Sequence, residues 1–144
     1  MRVIVAAVLV VCSIAKLSQA STLANEQKAK LREYKELCIA ESGVDTALLD
    51  SIKNGGAVTR DTKLDCFSSC LLQKIGVQRA DGTIDRDRVI EKAKTSNADL
   101  AKVNDVIEKC KGLGGKDACE IGGNVLGCFI KEKTLYPYWT ENTQ

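Results

Sequence analysis

Apolar residues recur every three or four positions in six segments of the chain, which is the spacing of one face of an α-helix. Polar residues fill the positions between. In chain order the apolar stripes are Leu31, Tyr34 and Cys38; Leu48, Leu49 and Ile52; Leu64, Phe67, Leu71 and Ile75; Val89 and Ile90; Leu100, Val103, Ile107 and Cys110; and Ala118, Ile121, Val125 and Phe129. Sustained period-two alternation, the signal of a half-buried strand, does not occur after residue 20. The pattern predicts an all-α fold.

Capping residues and glycines divide these segments into separate helices. The first helix is expected from about Leu23 to Glu41. Asp45 and Asp85 are predicted to cap the second and fourth helices, and either Thr59 or Asp61 the third, because their side-chain oxygens can accept from N–H groups of the first turn. Glycine-containing stops follow four of the helices, at Gly43, Asn54-Gly55-Gly56, Gly76 and the Gly112 to Gly115 turn.

An adjacent pair of glycines lies inside the sixth predicted helix. Gly122 and Gly123 each cost a helix about 1 kcal/mol relative to alanine. Close approach of another backbone, or room for a ligand, would explain them. A merely tolerated weak position is the alternative.

The N-terminus has the pattern of a signal peptide, predicted over residues 1–20. Arg2 supplies the positive start, an apolar run follows, and Ser18-Gln19-Ala20 places small residues where a signal peptidase cuts. The apolar run is shorter than the roughly 20 residues that span a bilayer. A retained anchor is the alternative. Cleavage after Ala20 also removes Cys12, which leaves an even number of cysteines.

The remaining chain, residues 21–144, is predicted to form a single domain with no net charge. The whole sequence has 21 basic and 19 acidic residues, and two of the basic ones, Arg2 and Lys16, lie in the leader. A neutral surface argues against nucleic-acid binding, which needs basic patches, and against an anionic-membrane role. We therefore expect neither nucleic acid as a partner nor stable membrane insertion.

Six cysteines follow the leader with the spacing C-x27-C-x3-C-x39-C-x8-C-x8-C: Cys38, Cys66, Cys70, Cys110, Cys119 and Cys128. An even count in a short exported chain indicates a disulfide framework. Six cysteines allow 15 pairings, and the residue pattern does not choose among them. A zinc site is the weaker alternative, because the spacings do not suit one and the chain has no histidine.

The mature chain resembles the insect odorant-binding proteins of the pheromone-binding and general odorant-binding family. The resemblance lies in the cysteine spacing, the segment Leu64 to Leu71 around Cys66 and Cys70, and the Cys119-x8-Cys128 step. It implies a compact six-helix cage around an apolar cavity. It also implies three interlocked bridges: Cys38–Cys70, Cys66–Cys119 and Cys110–Cys128. Proteins of this family carry small hydrophobic molecules through aqueous lymph.

A pocket for an apolar ligand is lined mainly by aliphatic and aromatic side chains. Ser68, between two cysteines, is expected to orient a polar ligand head, as a hydroxyl near that position does in some relatives; a backbone-bonded serine is the alternative. The other expected lining residues come from the apolar stripes, and each has an ordinary core role as its alternative: Leu49, Ile52, Phe67, Leu71, Val89, Val103, Ile107, Val125 and Phe129.

The C-terminal segment, residues 129–144, is unusually aromatic. Tyr136, Tyr138 and Trp139 are half of the six aromatic residues of the chain. Exposed tails are usually polar, so this segment is predicted to pack on or near the cavity and to contribute to ligand binding, as similar tails do in relatives. A protein–protein anchor is the alternative.

The sequence offers little for catalysis. The absence of histidine removes Ser-His and Cys-His nucleophile systems and the usual sensor for pH 5–8. Asp81, Asp85 and Asp87 faintly resemble a calcium loop, but Gly82 is misplaced and Lys92 stands where the final glutamate belongs. We predict no enzyme activity, no catalytic residue, no cofactor and no metal site.

With the predicted leader, the family resemblance implies a secreted, extracellular carrier with a chemosensory, olfactory role. The expected cargo is a small, aliphatic, odorant- or pheromone-like molecule. The expected state is a monomer or weak homodimer, and a membrane odorant receptor is the expected further partner. Two alternatives stay open. The same cage could sequester a hydrophobic mediator in another secretion, or the protein could be a saposin-like lipid-interacting protein, although saposins begin with C-x2-C.

Overall fold

The computed structural model describes residues 25–96 and 98–133 in two units. The described part of the first unit, residues 25–33, is helical, and its side chains are exposed except for the half-buried Leu31. The second unit begins at Tyr34 and holds the other described residues. The signal peptide predicted over residues 1–20 and the aromatic residues Tyr136, Tyr138 and Trp139 lie outside the described residues.

Six α-helices account for most of the described chain, so the all-α prediction is confirmed. Helix α1 covers residues 25–42, and the others are α2 (Thr46–Lys53), α3 (Thr62–Lys74), α4 (Arg86–Thr95), α5 (Leu100–Cys110) and α6 (Ala118–Lys131). In the described ranges the nearest approach to a sheet is one isolated antiparallel bridge between Gln78 and Ile84. No helix within these ranges is both long and apolar enough to cross a membrane.

Aspartate caps begin five of the helices. The side chain of Asp45 accepts from the N–H of Ala47 at the start of α2, and that of Asp85 does so from Arg88 at the start of α4. Asp61, not Thr59, caps α3. Such a cap contributes about 1 kcal/mol to helix stability. The same role is played by two residues that the sequence analysis did not single out, Asp99 for α5 and Asp117 for α6.

The loop between α3 and α4 folds back on itself, which makes it more ordered than a simple turn. The N–H of Asp85 donates to the carbonyl of Val77 at 2.8 Å, and the N–H of Arg79 donates to that of Thr83 at 2.8 Å. At the tip, Gly82 has a φ of 92°. This φ favours glycine, and an added Cβ would also lie 2.8 Å from the Cδ1 of Ile121, which would have to shift. The loop therefore packs closely against α6.

Three disulfides connect the helices of the second unit. Cys38 of α1 bonds Cys70 of α3, with a Cα–Cα distance of 5.6 Å. The other two bridges both reach α6: Cys66–Cys119 joins it to α3 and Cys110–Cys128 joins it to α5. This is the pairing implied by the family resemblance, and the predicted interlocked arrangement is confirmed.

Helices α3 and α6 approach each other at a glycine. A Cβ added to Gly122 would lie 2.5 Å from the Cα of Ser69, which is backbone and cannot swing aside. A Cβ on Gly123 would collide with the carboxylate of Asp65. Close approach of another backbone thus explains Gly122, whereas the space beside Gly123 is taken by side chains of Asp65 and Arg60.

An arginine at the surface fixes the same pair of helices. Arg60 precedes α3, and its Nε donates to Oδ1 of Asp65 at 2.6 Å. Its two Nη atoms donate to Oδ1 of Asn124 at 2.6 Å and to the carbonyl of Glu120 at 3.1 Å. One guanidinium group therefore binds a side chain of α3 and both a side chain and the backbone of α6, beside the position that Gly123 leaves free.

Candidate functional site

A contiguous group of buried apolar side chains, here called the core cluster, lies among α3, α5, α6 and the α3–α4 loop. Its buried members are Leu72, Val77, Ile84, Val106, Ile107, Cys110, Val125, Leu126 and Phe129. Half-buried residues pack against them, and these are Ile75, Val89, Ile90, Val103, Ile121 and Cys128. Phe129 is the one aromatic residue among them. The cluster is therefore almost wholly aliphatic.

The structure brings five of the expected lining residues together in or on the core cluster. Ile107, Val125 and Phe129 are buried members, and Val89 and Val103 pack against them. These side chains come from α4, α5 and α6, which are separate segments of the sequence. Their convergence makes the core cluster the candidate ligand site.

The other expected lining residues divide into two groups. Leu49, Phe67 and Leu71 are buried, Phe67 completely, but they are not members of the core cluster. Ile52 on α2 is half-buried. The role of these four residues as ligand contacts stays a prediction.

Ser68 is buried on α3 and bonds to its own helix. Its hydroxyl donates to the carbonyl of Leu64 at 2.8 Å. This is the backbone-bonded arrangement given above as the alternative. Because the hydroxyl proton is committed to the helix, Ser68 can only accept a hydrogen bond from a ligand. Its expected role in orienting a polar head stays a prediction.

One disulfide lies within the candidate site itself. Cys110 is a buried member of the core cluster, and Cys128, its partner, packs against the cluster. The bridge fixes the last residue of α5 to the C-terminal half of α6. Cys66–Cys119 holds the first turn of α6 to α3. Helix α6 is therefore fixed to different neighbours near its two ends.

A lysine joins the C-terminal ends of α5 and α6. Lys109 Nζ lies 2.9 Å from Oδ2 of Asp105 and 3.2 Å from Oε2 of Glu132, the residue after α6. The hydrogen bond to Asp105, followed by that to Glu132, raises the pKa of Lys109 above its ordinary value. The ammonium group is therefore charged throughout the neutral range, and it holds the chain where α6 ends.

A metal-binding constellation is not evident in the part of the chain that the structure describes. No group of three or more Cys, Asp or Glu side chains there is arranged to hold a metal ion. Asp81, from the suggested calcium loop, instead accepts from the N–H and the hydroxyl of Thr83. These two bonds, the hydroxyl first, lower the pKa of Asp81 from 3.8. The carboxylate thus organises a turn.

Sequence reasoning missed several members of the core cluster. Leu72, Val106 and Leu126 are buried next to a residue already assigned to a stripe, and a wider apolar face of each helix would have included them. Val77 and Ile84 lie in the loop, where no helical period applies. Their neighbour Gln78 is buried too, and as a polar loop residue it carried no signal of burial.

Comparison with known proteins agrees with this architecture. Residues 20–132 match the PBP/GOBP family. General odorant-binding protein 56a of Drosophila melanogaster is 23% identical over 107 residues, which are 74% of this chain and 76% of that protein.

Two solved structures of fly proteins are similar to this chain in both sequence and fold. A fatty acid binding protein from the oral disk of the blowfly Phormia regina has 29% identity and a TM-score of 0.63, over 76% of this chain and 93% of its own. A medfly odorant-binding protein has 26% identity and a TM-score of 0.63, over 79% and 98% of the two chains. The fold is that of odorant-binding carriers of small ligands and not of enzymes, and the match extends over most of the sequence. The chain belongs to the PBP/GOBP family.

Proposed function

We propose that this protein is a secreted carrier which binds a small, mainly aliphatic hydrophobic molecule in the core cluster and carries it through an aqueous secretion. The observation that carries the proposal is the convergence of Val89, Val103, Ile107, Val125 and Phe129 on one aliphatic cluster of a family fold built for carriage.

The composition of the cluster favours alkyl chains over aromatic rings. Among its fifteen buried and packed residues, aliphatic side chains predominate, and Phe129 offers the one ring for stacking. The binding free energy in such a site comes mainly from apolar surface removed from water, at about 25 cal/mol per Å². The similar blowfly structure is that of a fatty acid binding protein, which also supports a chain-like ligand here.

The disulfides support the proposal because they hold the helices around the site in place while a ligand enters or leaves. A bundle of short helices without cross-links closes over any space that a ligand leaves, because interiors pack densely. Cys110–Cys128 and Cys66–Cys119 restrict how far α5 and α3 can move relative to α6. The site can then exchange its ligand without losing its helices.

The setting of this carrier belongs to the same proposal. Residues 1–20 would direct export and be removed, and residues 21–144 would act as one domain. The tail with Tyr136, Tyr138 and Trp139 would cover the site, and a membrane odorant receptor would receive the cargo from a monomer or weak dimer.

Displacement of a fluorescent apolar probe tests the proposal. The folded, oxidised protein should bind the probe, and alkyl ligands should displace it better than aromatic ones of similar size. Val103→Phe places a larger side chain against the cluster, where overpacking costs about 1–3 kcal/mol, so probe affinity should fall about tenfold.

Val58→Phe is the matched control, because Val58 is 55% exposed in the loop before α3. This variant should bind the probe as the parent protein does. Absence of probe binding by the parent, or equal affinity of the two variants, would refute carriage in the core cluster.

A further inference from the structure

The side chain of Gln78 is a buried polar group at the edge of the core cluster. The residue is 4% exposed. Val77, which precedes it, and Ile84, its partner in the isolated bridge, are both buried members of the cluster. Gln78 is thus adjacent to one cluster member along the chain and paired with another across the bridge, although nothing in the proposed function uses its amide.

The hydrogen bonds of Gln78 determine which way its amide faces. Nε2 donates to the carbonyl of Gly82 at 3.0 Å and to the carbonyl of Ala118 at 3.2 Å. Exchanging the nitrogen and oxygen would set the oxygen against two carbonyl oxygens, which only accept. The amide orientation is therefore fixed, and the remaining polar atom is the acceptor Oε1.

This acceptor has no partner. Within residues 25–96 and 98–133, Oε1 of Gln78 is the buried side-chain atom left without a hydrogen bond. A buried acceptor in that state is costly, and native structures usually supply a donor. An ordered water would need two to four polar partners of its own. No second buried side-chain atom in the same ranges lacks a hydrogen bond, so such a water would have to share atoms that are already bonded.

We propose that Oε1 of Gln78 accepts a hydrogen bond from the polar end of the cargo, which makes the preferred ligand a long-chain alcohol. This inference rests on the proposed function. A hydroxyl supplies the missing donor while its alkyl chain occupies the core cluster. Gln78 is then a specificity-determining residue, placed by its two bonds to Gly82 and Ala118.

The chemistry of Oε1 ranks related ligands. An ether of equal size has the same apolar surface but no donor, and losing one neutral hydrogen bond lowers affinity about two- to tenfold. An ionised fatty acid carries only acceptors at its head, so its carboxylate would face Oε1 with no proton between them. The expected order of affinity is alcohol, then ether, then carboxylate.

The experiment compares dodecanol with methyl undecyl ether, which have the same number of heavy atoms, as competitors of the fluorescent apolar probe. The parent protein should prefer the alcohol about two- to tenfold. In Gln78→Met, which has a similar shape and no amide, the two ligands should bind equally. Gln73→Met is the matched control, because Gln73 is exposed on α3, and it should keep the preference.

The parent protein provides a second measurement in case Gln78→Met does not fold. Dodecanol should shift the side-chain carbonyl ¹³C resonance of Gln78, and the ether should leave it in place. Equal affinities of alcohol and ether in the parent, or an unchanged resonance with both, overturn the inference and point to an ordered water at Oε1. Failure of the probe itself to bind is a different result, which overturns the proposed function.

Discussion

At the scale of single residues, the tightest constraint lies between Gly122 and Ser69. Any side chain at Gly122 must push α3 and α6 apart, since the atom it meets is a Cα. The sequence marked Gly122 and Gly123 of α6 as costly for a helix, but it did not say which atoms they face. Which atoms they face depends on the position of the neighbouring helix, α3.

Gly122→Ala should therefore lower the free energy of unfolding by about 1–3 kcal/mol, the usual cost of overpacking. Gly127→Ala is a matched control in the same helix, because its added Cβ meets nothing within 4 Å. This control should raise the free energy of unfolding by up to about 1 kcal/mol through helix propensity. Denaturant unfolding of the two variants measures both. Equal effects of the same sign would contradict the close approach of α3 and α6.

A second residue-scale prediction concerns Asp81 in the α3–α4 loop. Because its pKa is lowered from 3.8 in the folded protein, the ionised carboxylate stabilises the fold above pH 3.8. That contribution is lost as the pH falls through the folded pKa. Thr83→Ala removes the hydroxyl that is the main cause, so the pKa of Asp81 should rise towards 3.8. An NMR titration of the carboxyl carbon measures it, and an unchanged midpoint would show that the Thr83 hydroxyl does not act on Asp81.

At the scale of helices, local signals were sufficient for most boundaries. Asp45, Asp61 and Asp85 begin helices as predicted because a cap depends only on the next three residues. The adjacent residues Leu71 and Leu72 show what local signals do not determine. Both are buried, but only Leu72 joins the core cluster, and which of two adjacent side chains meets a partner depends on where that partner lies.

The local pattern could not predict the cysteine pairing either, because the pairing also depends on where each partner lies in the fold. Fifteen pairings remained until the family resemblance indicated one. Gln78 had no signal at all, since its burial results from the return of the loop onto α6.

The two bridges to α6 should differ in what they contribute. Cys66–Cys119 is separated by 53 positions and Cys110–Cys128 by 18, so the entropy model gives about 4 and about 3 kcal/mol. Replacing Cys66 and Cys119 together by alanine should therefore cost more stability. Replacing Cys110 and Cys128 should cost more probe affinity, because that pair belongs to or packs on the core cluster.

Denaturant unfolding and probe titration on both double variants measure the two quantities under conditions in which each variant is folded. If the longer bridge governs stability and affinity alike, Cys110–Cys128 has no special role at the site.

At the scale of the whole molecule, the chain combines a family fold, a set of cross-links and one aliphatic cluster. The fold class and the family could be predicted from apolar periodicity and cysteine spacing, because these two patterns are set by the order of residues along the chain. The candidate site could be predicted only in part. Five expected residues meet at the core cluster, whereas the loop residues that complete it were found only in the folded chain.

The most direct test is methyl NMR of the oxidised protein, labelled at Ile, Leu and Val, during titration with dodecanol. The account predicts saturable shifts at Ile107 and Val125 in the core cluster, with little change at Leu37 and Val58, which are exposed. Shifts confined to the exposed methyls, or no saturable shift at all, would contradict the claim that the cluster is where the cargo binds.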